Sequence, residues 1–199
     1  VLKNGTLLKV SDMEYISNSN ITSLTEDTNG NIWAIENNFN FYKIKIVGPS
    51  HYQVKESKID SIPILPETKI NAIHFDPKNQ LWIATQNKGV YKFSANELTI
   101  FNQSSGLPVD NASTIFEDKS GNLWFGTSGG GLVKFTNQAF TYFDNLEGLR
   151  EKDIFTICSD KKGNIWIGTS LHGIYKYDGT TATDVSKISN IGDIEIRSI

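Results

Sequence analysis

The chain of 199 residues has one cysteine, Cys158, and three histidines. A single thiol excludes an intrachain disulfide framework, and its place in a predicted strand suits a small buried hydrophobe better than a reactive group. There is no Cys-x-x-Cys pair, and His51, His74 and His172 share no ligand spacing, so neither a metal nor a cofactor is expected. No stretch approaches the roughly 20 apolar residues a helix needs to cross a bilayer, so direct membrane insertion by this segment is not expected. Charge of one sign is also lacking. The 19 basic and 22 acidic residues are interspersed and leave a net charge of -3, which gives no electrostatic basis for binding nucleic acid or an anionic membrane surface. A Walker pattern is missing: Gly129-Gly130-Gly131 opens no helix and reads as a bend that needs positive φ. Sustained helical periodicity is absent throughout.

What the sequence does have is repetition. Trp33, Trp82, Trp124 and Trp166 each end an Asn/Gln-Ile/Leu-Trp phrase, at steps of 49, 42 and 42 residues. Six residues before each tryptophan stands an acid: Asp27, Asp76, Asp118, Asp160. Three before it stands Gly30, Asn79, Gly121 or Gly163. Ten after it stands Lys43, Lys92, Lys134 or Lys176. Thr85, Thr127 and Thr169 follow at three and Gly89, Gly131 and Gly173 at seven, where the first unit departs with Glu36 and Asn40. Several aligned columns make this a repeat array.

Each unit reads as four short strands. A β-rich run such as Ile70-Asn-Ala-Ile73 meets a tight turn of the Asp-x-x-Gly/Asn type, whose carboxylate is expected to hold the turn. A tryptophan strand, a glycine bend, a lysine strand and a weaker outer strand follow. Four strands per roughly 42 residues predict an all-β fold, a β-propeller segment of about four four-stranded antiparallel blades with partial blades at both ends. The blades are expected at about 1–16 (partial), 20–56, 69–102, 111–144, 153–186 and 193–199 (partial), within a single fragment of a longer array. Its open ends are expected to allow self-association. The tryptophans are expected on blade faces, packed against the next blade, with the indole N–H seeking a carbonyl. Ala84, Gly126 and Gly168, two positions on, suit a crowded site near the axis, where the first unit has Ile35. The lysines read as residues of the more solvated face and of inter-blade contacts.

The phrases Phe116-Glu-Asp-Lys-Ser-Gly-Asn-Leu-Trp-Phe-Gly-Thr-Ser-Gly-Gly-Gly-Leu132 and Cys158-Ser-Asp-Lys-Lys-Gly-Asn-Ile-Trp-Ile-Gly-Thr169 resemble the two-component regulator propeller repeat. So do the pairs Gly106-Leu107 and Gly148-Leu149, and the resemblance extends over essentially the whole chain. It implies the extracytoplasmic, periplasmic sensor of a membrane-bound hybrid histidine kinase of the Bacteroidetes type, many of which recognise glycans. It further implies a dimeric parent with immunoglobulin-like, membrane and kinase parts, none of them within these residues. The ligand expected on this basis is a small molecule or oligosaccharide.

Among the histidines, His74 is expected to be a packed core residue, His51 to begin an outer strand and His172 to lie in a loop near the channel mouth. No catalytic set is evident. A hydrolase would need two acids, for which Glu147 and Glu151 are available without a visible partner. In propellers, binding is carried by loops that differ between blades. Asn37, Asn38, Gln86, Asn87, Arg150 and His172, in the loops after the second strands and before the first strands, are therefore the candidate ligand-binding residues. Two alternatives remain: a protein-interaction scaffold and, further off, a propeller lyase or glycoside hydrolase.

Overall fold

The computed structural model describes residues 2–3, 6–7, 20–47, 53–58, 67–94, 97–136, 139–143, 146, 148–186 and 194–199. A two-stranded hairpin, β1 (Leu2–Lys3) with β2 (Thr6–Leu7), comes first. Four antiparallel sheets follow, each in simple sequential order. Blade 1 is β3 (Ile21–Glu26), β4 (Ile32–Glu36), β5 (Asn40–Val47) and β6 (Gln53–Lys58). Blade 2 is β7 (Ile70–Phe75), β8 (Leu81–Thr85), β9 (Val90–Ser94) and β10 (Glu97–Phe101). Blade 3 is β11 (Ala112–Glu117), β12 (Leu123–Thr127), β13 (Leu132–Thr136) and β14 (Ala139–Phe143). Blade 4 is β15 (Ile154–Ser159), β16 (Ile165–Thr169), β17 (Ile174–Tyr177) and β18 (Ala182–Asp184). The first strands sit innermost, β3 against β7, β7 against β11 and β11 against β15, which is the propeller arrangement.

Three apolar cores lie between blades, while a smaller cluster, Ala34, Tyr42 and Ile44, belongs to blade 1 alone. Ile35 and Phe41 of blade 1 meet Ile70, Ile73, Leu81, Ile83 and Tyr91 of blade 2. Trp82, Ala84 and Val90 meet Ala112, Leu123, Phe125 and Val133 of blade 3, with Leu107 from the intervening loop. Trp124 and Leu132 meet Ile154, Ile157, Ile165, Ile167 and Tyr175 of blade 4. A meander has two apolar faces and can cover them only by stacking. The tryptophans carry this packing: Trp33 on Phe75 (ring centroids 5.2 Å apart), Trp82 on Phe135 (5.1 Å) and Trp124 on Tyr177 (6.0 Å).

The indole partner differs from the expectation. Each tryptophan Nε1 donates to the aspartate of its own repeat: Trp33 to Asp27 at 2.9 Å, Trp82 to Asp76 at 3.0 Å, Trp124 to Asp118 at 2.8 Å and Trp166 to Asp160 at 3.2 Å. The carboxylate's other oxygen, Oδ1, holds the turn. In blade 1 it accepts the N–H of Asn29 at 3.0 Å and of Asn31 at 2.9 Å. The last turn residue must take left-handed φ (Gly30 77°, Asn79 59°, Gly121 78°, Gly163 88°), which explains why that column admits only glycine and asparagine. Three of the lysines, expected on the more solvated face and in inter-blade contacts, also reach an aromatic ring within their own blade. Lys43, Lys92 and Lys134 lie 5.2, 5.5 and 5.1 Å from the ring centroids of Trp33, Trp82 and Trp124, their cross-strand partners, so each contacts the tryptophan of its own blade.

Gly126 and Gly168 occupy the crowded positions foreseen. A Cβ at Gly126 would stand 2.7 Å from methyls of both Thr114 and Ile154. Ile196 takes the corresponding place against Gly168, and its N–H donates to Thr169 O at 2.9 Å. Residues 194–199, expected to begin a further first strand, form no strand.

Candidate functional site

Every innermost strand is interrupted at one place. The pairing register shifts between Ile21 and Ser23, Ile70 and Ala72, Ala112 and Thr114, and Ile154 and Thr156. Each shift is a β-bulge that leaves one residue unpaired: Thr22, Asn71, Ser113 and Phe155. Bulges re-aim side chains at barrel rims and beside binding sites. All four of these residues line one axial cavity of about 730 Å³, within the range of small-ligand pockets. The flanking columns keep small or β-branched residues (Ile21, Ile70, Ala112, Ile154; Ser23, Ala72, Thr114, Thr156), whereas the bulge column ranges from threonine, asparagine and serine to phenylalanine.

Asn38, Gln86, Asn111 and Ser128 add to the lining from the loops, and Lys69 and Arg197 bring positive charge. The loops after the second strands are tied to the loops before the first strands. Asn37, Gln86, Ser128 and Ser170 donate backbone N–H groups to Asn20, Lys69, Asn111 and Asp153 carbonyls at 2.9 to 3.0 Å. Both loop sets therefore gather on one face, opposite the Asp–Trp turns. In blade 1, Asn38 replaces the bend glycine's link to the next blade: its Nδ2 donates to Ile70 O and its carbonyl accepts the Ile70 N–H, both at 2.7 Å.

Of the residues singled out from sequence, Asn38 and Gln86 meet at this cavity. Asn37 and Asn87, with left-handed φ of 51° and 64°, are exposed loop tips outside its wall. Arg150 is exposed and His172 half-buried, both also outside the wall. The bulge residues were missed. Their one sequence signal is variation at the second position of the first strand, a variation shared with the fifth position (Thr25, His74, Phe116, Cys158) that does not single them out.

His172 belongs to a separate cluster. Its Nδ1 lies 3.2 Å from Glu151 Oε2, which also accepts from Ser170 Oγ at 3.2 Å. Glu151 Oε1 accepts the N–H groups of Lys152 and Asp153 at 2.8 and 3.0 Å. Burial opposes ionisation of Glu151, but the Asp153 N–H, the His172 ring, the Lys152 N–H and the Ser170 hydroxyl together hold its carboxyl below the usual range. The ionised carboxylate only accepts, so Nδ1 of His172 is the donor. His74, expected in the core, is instead half-buried and bridges blades 2 and 3, its Nε2 2.7 Å from Glu117 Oε2. Cys158 is half-buried in β15, where burial and the nearby Asp160 push its thiol up, away from the reactive thiolate. His51 and Glu147 lie outside the described residues.

Two further grooves follow the blade seams on the Asp–Trp side. One of about 670 Å³ between blades 2 and 3 is lined by Asp76, Trp82, Lys92 and Glu117. The other, of about 250 Å³ between blades 3 and 4, is lined by Asp118, Trp124 and Lys134. Asp76 and Asp118 are occupied by indole and turn N–H groups and Glu117 by His74, so these seams read as architecture. Among the described residues no cluster of His, Cys, Asp and Glu could hold a metal ion, and no helix is long and apolar enough to cross a membrane.

Solved structures with this fold include the extracellular domain of a hybrid two component system from B. thetaiotaomicron, at 21% identity and a TM-score of 0.60 over 84% of this chain and 25% of that one. Virginiamycin B lyase from Staphylococcus aureus is similar at 18% identity and a TM-score of 0.62, over 85% of this chain and 56% of that one. PorZ of Porphyromonas gingivalis is similar at 14% identity and a TM-score of 0.58, over 87% and 26%. The chain thus spans about half the length of the lyase and about a quarter of the other two. Among curated proteins none matches the sequence. A family model, that of the two component regulator propeller, matches residues 15–35, 64–87, 106–129 and 148–170, one match per tryptophan repeat. With its Asp–Trp turns, its four blades and these four matches, the chain belongs to the two component regulator propeller family.

Proposed function

We propose that this chain is part of the ligand-sensing region of a periplasm-facing two-component receptor, and that it recognises an oligosaccharide or a glycan breakdown product without chemistry. The observation that supports this reading best is a polar axial cavity ringed by side chains that vary on a scaffold that repeats. Asn38 and Gln86 would contact ligand from the wall, while Asn37, Asn87, Arg150 and His172 would do so from the rim of the loop face. Binding would bias the arrangement of neighbouring domains in a dimeric parent. A hydrolase reading is disfavoured because Glu151 is kept ionised by its four hydrogen-bond partners and is ill suited to serve as a general acid. A scaffold reading would draw on exposed apolar groups, but Phe39 and Leu171 stand apart in the loops of blades 1 and 4, and of the exposed large apolar side chains among the described residues Leu24 alone lines the cavity.

The test is a thermal-shift and calorimetric screen of the chain against neutral and acidic oligosaccharides. A saturating ligand raises the melting temperature, because a ligand at 100 times its Kd stabilises the folded state by about 2.7 kcal/mol. A panel that produces neither shift nor heat contradicts the proposal.

A further inference from the structure

The bulge ring and its neighbours favour one class of saccharide. Resting on the sensing reading above, we infer that the axial cavity takes an acidic sugar, a polyhydroxylated ring bearing a carboxylate.

Hydrogen-bond polarity comes first. Asn71 Nδ2 donates to Ala112 O at 2.7 Å, across to the next blade. Asn38 Nδ2 does the same to Ile70 O, and Ser113 Oγ to Ile154 O. Thr22 Oγ1 donates to Ile35 O at 3.3 Å within its blade. Each hydroxyl's hydrogen and one of each amide's two are thus committed to backbone carbonyls; beside the two remaining amide N–H groups, the four side chains offer the cavity mainly acceptor oxygens, two amide and two hydroxyl. A ligand that satisfies them must bring donors, and sugar hydroxyls are donors of the right size.

Charge comes second. Lys69 and Arg197 line the cavity, and no Asp or Glu among the described residues does. Arg197 is oriented on both sides. Its guanidinium centre sits 5.3 Å from the centroid of the Phe155 ring, and its Nε donates to Glu195. That leaves the two Nη groups, the fork that pairs with a carboxylate. Phe155, the one aromatic member of the bulge ring, supplies an apolar face beside that fork. A pyranose can therefore lay its C–H face on Phe155, place its carboxylate at Arg197 and Lys69, and give its hydroxyl protons to Thr22, Asn71 and Ser113.

The experiment is calorimetry on the full chain with digalacturonate and glucuronate, against digalactose as the neutral counterpart. The expected result is binding of an acidic sugar at least about tenfold tighter than of digalactose, weakened by salt. Arg197→Gln and Lys69→Gln should each remove most of that preference. Both side chains are exposed, so the melting temperature should not move. Asn71→Asp, which adds a carboxylate to the wall, should abolish acid binding. Failure of both acids to bind, equal affinity for digalactose, or full acid binding by Arg197→Gln would each overturn the inference. Binding of neutral sugars alone would overturn the acidic class and leave the sensing reading standing. Silence from every saccharide would remove both.

Discussion

The indole Nε1 of Trp124 donates to Oδ2 of Asp118 at 2.8 Å, six residues earlier in the same repeat, and the same pair closes all four repeats. One carboxylate thus joins the turn that starts the tryptophan strand to the ring that packs on the next blade. The relation ties local geometry to the stacking of the array.

Truncating either partner should therefore damage more than one contact. Trp124→Ala removes an almost fully buried ring from the seam between blades 3 and 4 and should cost about 3–5 kcal/mol. Asp118→Ala strands the indole N–H, the Asn122 side chain and two turn N–H groups, and should cost about 1–3 kcal/mol or more. In urea unfolding, a double mutant no worse than Trp124→Ala alone would show that the two act as one unit. Unchanged stability of Trp124→Ala would refute the assignment.

Acid should loosen the turns within a defined window. Burial works against ionisation of Asp27, but bonds from Trp33 and Asn31 outweigh it and hold its carboxyl at about 2. Hydrogen bonds from Asn164 and Trp166 hold Asp160 at about 2 as well. A carboxyl whose folded pKa lies below its unfolded one stabilises the fold above the unfolded value, and that contribution fades as pH falls through the folded value. The melting temperature should therefore fall between about pH 4 and pH 2 on account of these groups, and Asp27→Asn should flatten part of that slope. An unchanged acid limb in the variant would contradict the prediction.

Crowding near the axis makes its own prediction. Gly126→Ala places a methyl 2.7 Å from side-chain atoms of Thr114 and Ile154 and should cost about 1–3 kcal/mol through overpacking. Gly129→Ala meets nothing within 4 Å, but its φ of 95° still makes alanine strained. The pair therefore separates steric overlap from backbone strain, and partial relief by Thr114→Ser, which removes one of the two clashing methyls, is expected for Gly126→Ala alone.

The scaffold was legible because it repeats. The Asp, Gly/Asn, Trp, Thr, Gly and Lys columns marked turns, blades and strand order directly. The indole acceptor was misjudged although its signal was present: the aspartate keeps a fixed six-residue distance from the tryptophan, which a turn role alone does not require. The bulge ring left a weaker trace. A bulge is a shift of backbone pairing, and no glycine or proline marks it here. Thr22, Asn71, Ser113 and Phe155 appear only as an unremarkable variable position in a strand. His74 read as core because its neighbours are apolar, whereas its partner Glu117 is 43 residues away on the next blade.

Glu151 should fix the tautomer of His172. In long-range nitrogen–proton NMR spectra at neutral pH, the wild-type ring should carry its proton on Nδ1, facing the carboxylate. Glu151→Gln should release the ring to the Nε2–H form that free imidazole side chains favour. A wild-type ring already in the Nε2–H form would show that the Glu151 contact does not govern it.

The central claim is that repeated columns build the propeller while the unpaired bulge residues meet the ligand. Backbone NMR of the chain, titrated with whichever saccharide the screen finds, tests it most directly. The account predicts that the largest perturbations fall at Thr22, Asn71, Ser113 and Phe155 and at the adjoining Asn38 and Gln86, with Asp27, Asp76, Asp118, Asp160 and their tryptophan indoles unmoved. Perturbations centred on the Asp–Trp turns and the seams between blades, with the bulge residues silent, would contradict it.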